Sequence, residues 1–503
     1  MHFSKAPAPE PSARCGAGQI KKLLGVKIFW FLLIVLITLV FWFPTKDIPY
    51  WWDSAGYIIH AAKYYIDINF SSIFLPAERE ITAFAHPPFF TLGLALIWKI
   101  FGESLLSSHL FYFIFVLLSA IFVYLLGRRV ANNFSGFAAA LLLLFTPVFL
   151  AQVGIIYTEI PVTAFALMTV YFFLNKKFWW YFLSAFLMLF IKETSALIIL
   201  AILSTIFIQF IIKSVRKRKF YFKKCVKKLF FYSLPVLPLI GWFVRNKIAT
   251  GWLFVVPHYG PGMAERALSL AKLPFVFKFF FLEQYRFLIT FAILGLLVFC
   301  LINKKRRGAM GMPHIIVFSF IVVFVPLFFS VVDFLHRYII FGLPFLYLLF
   351  FSLIRLAFRK EIIYAILFYA ILILPPLFHS DWNNNRRISN WHFPPLEENL
   401  EYLDIIKIGK YTSGFLEQYY SEAAIYTEFP TNYMLSQPYQ HYVQKPLNVR
   451  NCKDYKEGDE VNIVVSHYFS PNQAYCWSII KELQLYNLIT FSENGKSIAI
   501  YKK

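Results

Sequence analysis

The stretch YWWDSAGYIIHAAKYY, residues 50–65, sets one carboxylate, Asp53, among tryptophans and tyrosines just after a long apolar run. A carboxylate can take up a proton, hold a cation or cap a helix. Other groups able to do chemistry recur in short polar breaks between apolar runs. AEREITAFAHPPFF carries Arg79, Glu80 and His86, VGIIYTEIPVTAF carries Glu159, and IKETSAL carries Lys192 and Glu193. VVPHYGPG carries His258, and DFLHRY carries Asp333, His336 and Arg337. Arginine and lysine hold anions, and histidine with a carboxylate suits a metal ion or proton transfer. Each residue alone reads as a charge at the water line of a helix end. As a set, they predict a cavity opening on one side.

The elements that must position them are membrane helices. Of 503 residues, 59% are hydrophobic and 15% charged, and many apolar runs approach or exceed the roughly 18 residues that a bilayer requires. The formal charge of +22 sits in short clusters between these runs, at 127–129, 175–177, 213–228, 303–307 and 355–360. That is the pattern of cytoplasmic loops touching anionic lipid, and it argues against a nucleic-acid partner. With these clusters inside, the candidate spans are 27–44, 105–126, 134–151, 158–174, 178–192, 194–212, 229–245, 287–302, 314–332, 338–356 and 361–378. The expected fold is a polytopic α-helical membrane protein of about eleven spans. The first run lacks a small-residue cleavage site and reads as a retained helix. The run 87–102 is short, opens with two prolines and carries Lys99, so it reads as a re-entrant or interfacial helix on the outer face.

This layout makes residues 1–26 a cytoplasmic tail, 27–379 a transmembrane domain in the plasma membrane, and 380–503 a small extracytoplasmic α/β domain. Outer loops fall at 45–104 and 246–286. Tyr57, Ile58, Ala61, Tyr64 and Tyr65 follow Asp53 near helical spacing, so an amphipathic helix is expected there, with Trp51 and Trp52 at the headgroup level and Asp53 placed to cap it. Strand-like VNIVVSHY and SIAIYKK mark the C-terminal domain. Cys452 and Cys476 fall within it, either as a disulfide favoured by an oxidising exterior or as buried thiols. No inverted repeat of the transporter kind is evident.

WDSAGY, then AHPPFFTLGLALIWKIFGES, YLLGRR, YTEIP and KETSAL occur in this order over about the first 200 residues. The series resembles the polyprenyl-phosphate-dependent glycosyltransferases of the GT-C class, in the branch of protein O-mannosyltransferases and bacterial aminoarabinose transferases. The resemblance implies a membrane enzyme taking sugar from a polyprenyl-phosphate donor, with Asp53 as the essential acid of the first outer loop. Glu159 matches an acidic position of the second outer loop, where aspartate is more usual. Ser54 stands where the family often has a second acid. His86 occupies the position of a metal-binding glutamate in the aminoarabinose branch, and His258 is a counterpart of its histidine partner.

A sugar bonded to phosphate already has a good leaving group, so the reaction needs one base for the acceptor hydroxyl and positive charge for the departing phosphate. Asp53 is the expected base, with inversion at the sugar, and Arg79, Lys192 and Arg337 are the expected phosphate partners. Glu80, Glu193 and Tyr57 are further site candidates. His86 and His258, with Glu159 or Glu80, would be ligands if a zinc or manganese ion held the phosphate; no nucleotide cofactor is implied. The acceptor would be a protein, lipid A or an envelope glycan. Richness in Phe, Lys and Ile fits an AT-rich bacterial genome and hence undecaprenyl phosphate as carrier. A transporter or flippase of a lipid-linked sugar is the alternative.

Overall fold

The computed structural model describes residues 17–73, 86–219, 222–251, 270–303, 312–331, 334–358, 400–467 and 473–503. Arg79, Glu80, His258 and the expected span 361–378 lie outside them. The described residues up to 358 form a helical bundle: α1 (Ala17–Trp42), α2 (Ile59–Asp67), α3 (Phe89–Phe101), α4 (Leu105–Val130), α5 (Asn133–Leu144), α6 (Pro147–Val153), α7 (Glu159–Leu174), α8 (Phe178–Leu189), α9 (Ala196–Lys217), α10 (Phe222–Ser233), α11 (Val236–Thr250), α12 (Leu273–Phe281), α13 (Arg286–Ile302), α14 (Met312–Val331) and α15 (Leu343–Ala357).

Among the described residues, five helices are long and apolar enough to cross a membrane, or up to eight spans if each of three bent pairs counts as one. Helices α7 and α8, at the expected spans 158–174 and 178–192, are apolar but only 16 and 12 residues long, and three further expected spans take a different shape. The region expected to cross as 134–151 bends by 70° between α5 and α6, where Pro147 opens the second helix. The region expected as 229–245 is split into α10 and α11 with a 55° bend, and the chain turns by 89° between α12 and α13 before the span expected at 287–302. At this last corner buried Arg286 donates to the Phe280 carbonyl at 2.9 Å and also to the Phe279 carbonyl, satisfying the C-terminal end of α12.

The bundle is built around α15, in which every residue but Arg355 is buried. A helix apolar on all sides belongs at the centre, with other helices rather than lipid around it. In contrast, α1 leaves Phe29, Leu32, Leu36 and Val40 exposed, as a peripheral span would. Helices α4 and α5 pack backbone to backbone. A Cβ on Gly136 would run into the Tyr124 carbonyl oxygen, and one on Gly127 would come within 2.6 Å of the Gly136 Cα. At 13 residues and ~1.5 Å per residue, α3 is too short to cross a bilayer.

The C-terminal unit comprises α16 (Tyr402–Tyr419), α17 (Thr431–Ser436), α18 (Gln473–Glu482) and strands β1 (Ile425–Thr427), β2 (Val449–Asn451), β3 (Ile463–His467), β4 (Tyr486–Glu493) and β5 (Lys496–Lys502). Their order is β2-β1-β3-β5-β4, parallel across β2, β1 and β3 and antiparallel from β3 through β5 to β4. Central β3 is buried along its whole length, which explains its near-continuous apolar sequence. A disulfide joins Cys452, just past β2, to Cys476 on α18, with Cα atoms 5.1 Å apart.

Beside the disulfide, buried Glu428 accepts the Cys476 backbone N–H at 3.1 Å. Burial pushes its carboxyl from the ordinary 4.5 up to about 7. Its folded-state value is raised, so its stabilising contribution is complete below pH 4.5 and is lost as pH rises through about 7. Buried His467, held down at about 4, acts with the opposite sign. Thermal unfolding of wild type and Glu428→Gln across this pH range isolates the glutamate, because His467 is common to both. The expected result is that wild type loses stability relative to the variant as pH rises; parallel curves would contradict it.

Candidate functional site

Five elements bring polar groups to one end of the bundle. Asp53 follows α1, Glu159 opens α7, Lys192 and Glu193 lie between α8 and α9, and Arg337 sits in the 3₁₀ turn His336–Ile339 ahead of α15. His86 lies just before α3. Each is at or beside a helix terminus, where chain direction reverses and side chains of distant segments can converge.

Arg337 is the centre of the group. Its guanidinium donates to the Asp53 carboxylate, and its Nε lies 3.4 Å from Glu159 Oε1. That oxygen also accepts from Lys192 Nζ at 2.7 Å. Aromatic rings complete the enclosure: the Arg337 guanidinium carbon is 4.3 Å from the Tyr157 ring centroid, and Lys192 Nζ is 4.0 Å from that of Tyr338. Two carboxylates thus balance two cations in a nearly dry setting, where an unpaired charge would cost several kcal/mol.

The two acids differ in access. Glu159 is 3% exposed and is held by both cations, whereas the Asp53 side chain is 24% exposed and pairs with Arg337 alone among the described residues. Asp53 therefore keeps an open face. Glu159 serves as the buried counter-ion that holds Lys192 and Arg337 in place. A second pair lies alongside, with His86 Nδ1 2.9 Å from Glu193 Oε2. Both partners are more exposed than Glu159 and Lys192.

The backbone that carries Asp53 is unusual. Trp52 adopts φ +52°, in the left-handed region, and Ser54–Ile58 winds as a π-helical turn before α2. Asp53 makes no side-chain cap to that turn, contrary to the capping expectation, because Arg337 takes its carboxylate. Trp51 is likewise not exposed as an interfacial anchor would be: it is 1% exposed and packs into the core. Wide turns and left-handed residues of this kind persist where surrounding contacts over-determine them.

Those contacts come from the C-terminal unit. Phe429 stacks on Tyr57 at 5.8 Å between ring centroids and meets Trp52 edge-on at 5.2 Å. A Cβ on Gly56 would lie 2.6 Å from the Phe429 ring, so only glycine admits this approach. Gln440 donates to the Ala55 carbonyl at 2.8 Å. Tyr57 thus lies at the seam between the two units.

The structure brings Asp53, Glu159, Lys192 and Arg337 together and sets His86 against Glu193. Tyr157, Tyr338, Phe429 and Gln440 were not singled out from the sequence. Tyr157, two residues before Glu159, and Tyr338, next to Arg337, were legible by proximity, whereas the last two carry no local signal. A metal-like grouping of Glu428, Cys452 and Cys476 also occurs among the described residues, but its sulfurs are bonded to each other and offer no thiolate ligand.

Residues 85–242 match the family model of dolichyl-phosphate-mannose-protein mannosyltransferases. No curated protein matches the sequence. Among solved structures, ArnT from Cupriavidus metallidurans bound to undecaprenyl phosphate superposes with a TM-score of 0.59 at 12% identity, covering 94% of this chain and 98% of the other. The apo state of ArnT gives 0.59 at 14% identity, covering 95% and 98%. At such identities the likeness is one of fold, and it extends from the first helix through the C-terminal unit. The chain has the fold of the GT-C glycosyltransferases, and its segment 85–242, which holds Glu159 and Lys192, matches the mannosyltransferase family model.

Proposed function

We propose that this chain is a membrane glycosyltransferase that moves a sugar from a polyprenyl-phosphate donor to a hydroxyl or phosphate acceptor on the extracytoplasmic face. The observation that carries this reading is the arginine shared between a partly open carboxylate, Asp53, and an enclosed one, Glu159. The likeness to ArnT bound to undecaprenyl phosphate supports the choice of donor. The outward orientation is supported by the basic clusters at 127–129, 175–177 and 213–228, which lie at the ends of α4, α7 and α9 remote from the site.

In this reading an acceptor hydroxyl attacks the anomeric carbon from the face opposite the phosphate. The bond from sugar to phosphate oxygen breaks, its electron pair stays on the phosphate, and the hydroxyl proton passes to Asp53. The sugar configuration inverts. Arg337 orients Asp53 in the resting site. An arriving donor phosphate competes for the guanidinium, so the same event that binds the leaving group releases the Asp53 carboxylate to meet the acceptor hydroxyl. Glu159 keeps Arg337 and Lys192 from leaving the site during that exchange. The C-terminal unit, seated on Tyr57 and Gly56, is placed to select the acceptor, whether protein, lipid A or envelope glycan.

A flippase for the same lipid-linked sugar would share the donor. Such proteins place ionisable residues in mid-span, at interrupted helices. Here the cluster sits at helix ends beneath a folded unit, which favours chemistry on an extended acceptor. A zinc or manganese ion at this site would find a nitrogen and an oxygen donor in His86 and Glu193, and would supply positive charge for the departing phosphate. Glu159 is already taken by Lys192 and Arg337.

Asp53→Asn, reconstituted in lipid nanodiscs, is expected to bind the polyprenyl-phosphate donor and to lose transfer by ~10²–10⁴-fold, the range for removal of a general base. Full transfer by the variant would reject the assignment. The metal reading predicts zinc or manganese in purified wild type and less in His86→Ala, measured by elemental analysis. Equal content in the two proteins, or none in wild type, would remove His86 as a ligand.

A further inference from the structure

At the opposite end of the bundle lies a surface that the proposed reaction does not use. Helix α9 starts beside Lys192 and runs for 22 residues, roughly 33 Å at ~1.5 Å each, before ending at Lys217. Between residues 213 and 228 the chain carries nine lysines and arginines and no acid, and those in the described residues are all exposed. The axis then turns by 55° between α10 and apolar α11.

Helix α10 has two unlike faces. One packs inward through buried Cys225 and through the Tyr232 carbonyl, which accepts from Tyr181 at 2.5 Å. The other carries Phe222, Val226 and Phe230, spaced four apart and 63%, 46% and 58% exposed. With Lys223 and Lys227 they line an open groove of about 390 Å³. Trp179 and Trp180, 78% and 56% exposed, stand at the start of α8, and neighbouring Phe178 meets Phe231 with ring centroids 5.9 Å apart. Exposed tryptophans beside a basic amphipathic helix mark the headgroup level of a bilayer.

We infer that α10 is a binding site for anionic phospholipid in the leaflet opposite the charged cluster. The headgroup phosphate lies between Lys223 and Lys227, and an acyl chain covers the ridge of Phe222, Val226 and Phe230. Like charges four residues apart on a helix repel each other, and a bound anion turns that repulsion into attraction. The apolar ridge distinguishes this occupant from a nucleic acid, which would have no use for it. The site is independent of the transfer reaction and stands whether or not that reading survives.

The test uses the full chain in nanodiscs of equal phosphatidylcholine and phosphatidylglycerol, partly stripped with detergent, with the retained lipid weighed by mass spectrometry. Wild type is expected to retain phosphatidylglycerol over phosphatidylcholine by about fivefold or more, since each lysine near a membrane surface contributes a factor of that order. K223Q/K227Q is expected to lower the enrichment clearly although the other basic residues of 213–228 remain, K223R/K227R to keep it, and K453Q/K456Q in the C-terminal unit to leave it unchanged. High salt should lower the wild-type enrichment without any mutation. Parity in wild type, or undiminished enrichment in K223Q/K227Q, would overturn the inference.

Discussion

A guanidinium buried at the end of a helical bundle cannot stand alone. Arg337 is 5% exposed, and removing its charge from water is tolerable only because Asp53 and Glu159 approach it together. Glu159 in turn needs Lys192 as well, since one shared cation would leave the group net negative. Four charges from four distant segments must therefore arrive at one point. The rest of the architecture follows from that requirement: α7, α9 and α15 start there and α8 ends there, with the rings of Tyr157 and Tyr338 closing the gaps between charges.

The same requirement accounts for the division of labour between the acids. The more enclosed carboxylate is committed to structure, and the one with an open face is left to meet an incoming molecule. Its backbone is held in place from outside the membrane bundle: Phe429 and Gln440 fasten the turn from Trp52 to Ile58 while the Asp53 side chain points to Arg337. The C-terminal unit is thus part of the site's framework. In the proposed reaction the acceptor comes to the seam where that unit meets the bundle, which couples acceptor choice and Asp53 geometry through the same few contacts.

Much of this was legible in the sequence because hydropathy and charge report on the membrane directly. The helical bundle, the C-terminal sheet and the short α3 follow from run length, alternation and composition. Glu159, Lys192 and Arg337 could each be placed at a helix end, since a charge in an apolar chain has few other places to go. Their mutual pairing could not, because Asp53 and Arg337 are 284 residues apart and no local pattern links them. Asp53 reads as a helix cap and Trp51 as an interfacial anchor by local rules alone; the tertiary partner of one and the burial of the other override those rules. The bends at Pro147 and ahead of Val236 interrupt stretches whose composition reads as continuous. Phe429 was invisible because its role depends on glycine at position 56, in a different unit.

The central claim is that the Asp53–Arg337–Glu159–Lys192 cluster cleaves the bond between a sugar and a polyprenyl phosphate. The most direct measurement is release of free polyprenyl phosphate from a panel of labelled polyprenyl-phosphate sugars by the wild-type chain in nanodiscs, with envelope acceptors supplied. The account predicts that one donor is consumed and its sugar is recovered on an acceptor in inverted configuration. A donor that binds and crosses a proteoliposome bilayer intact, with no polyprenyl phosphate released, would contradict it and make this cluster a lipid-carrier gate instead.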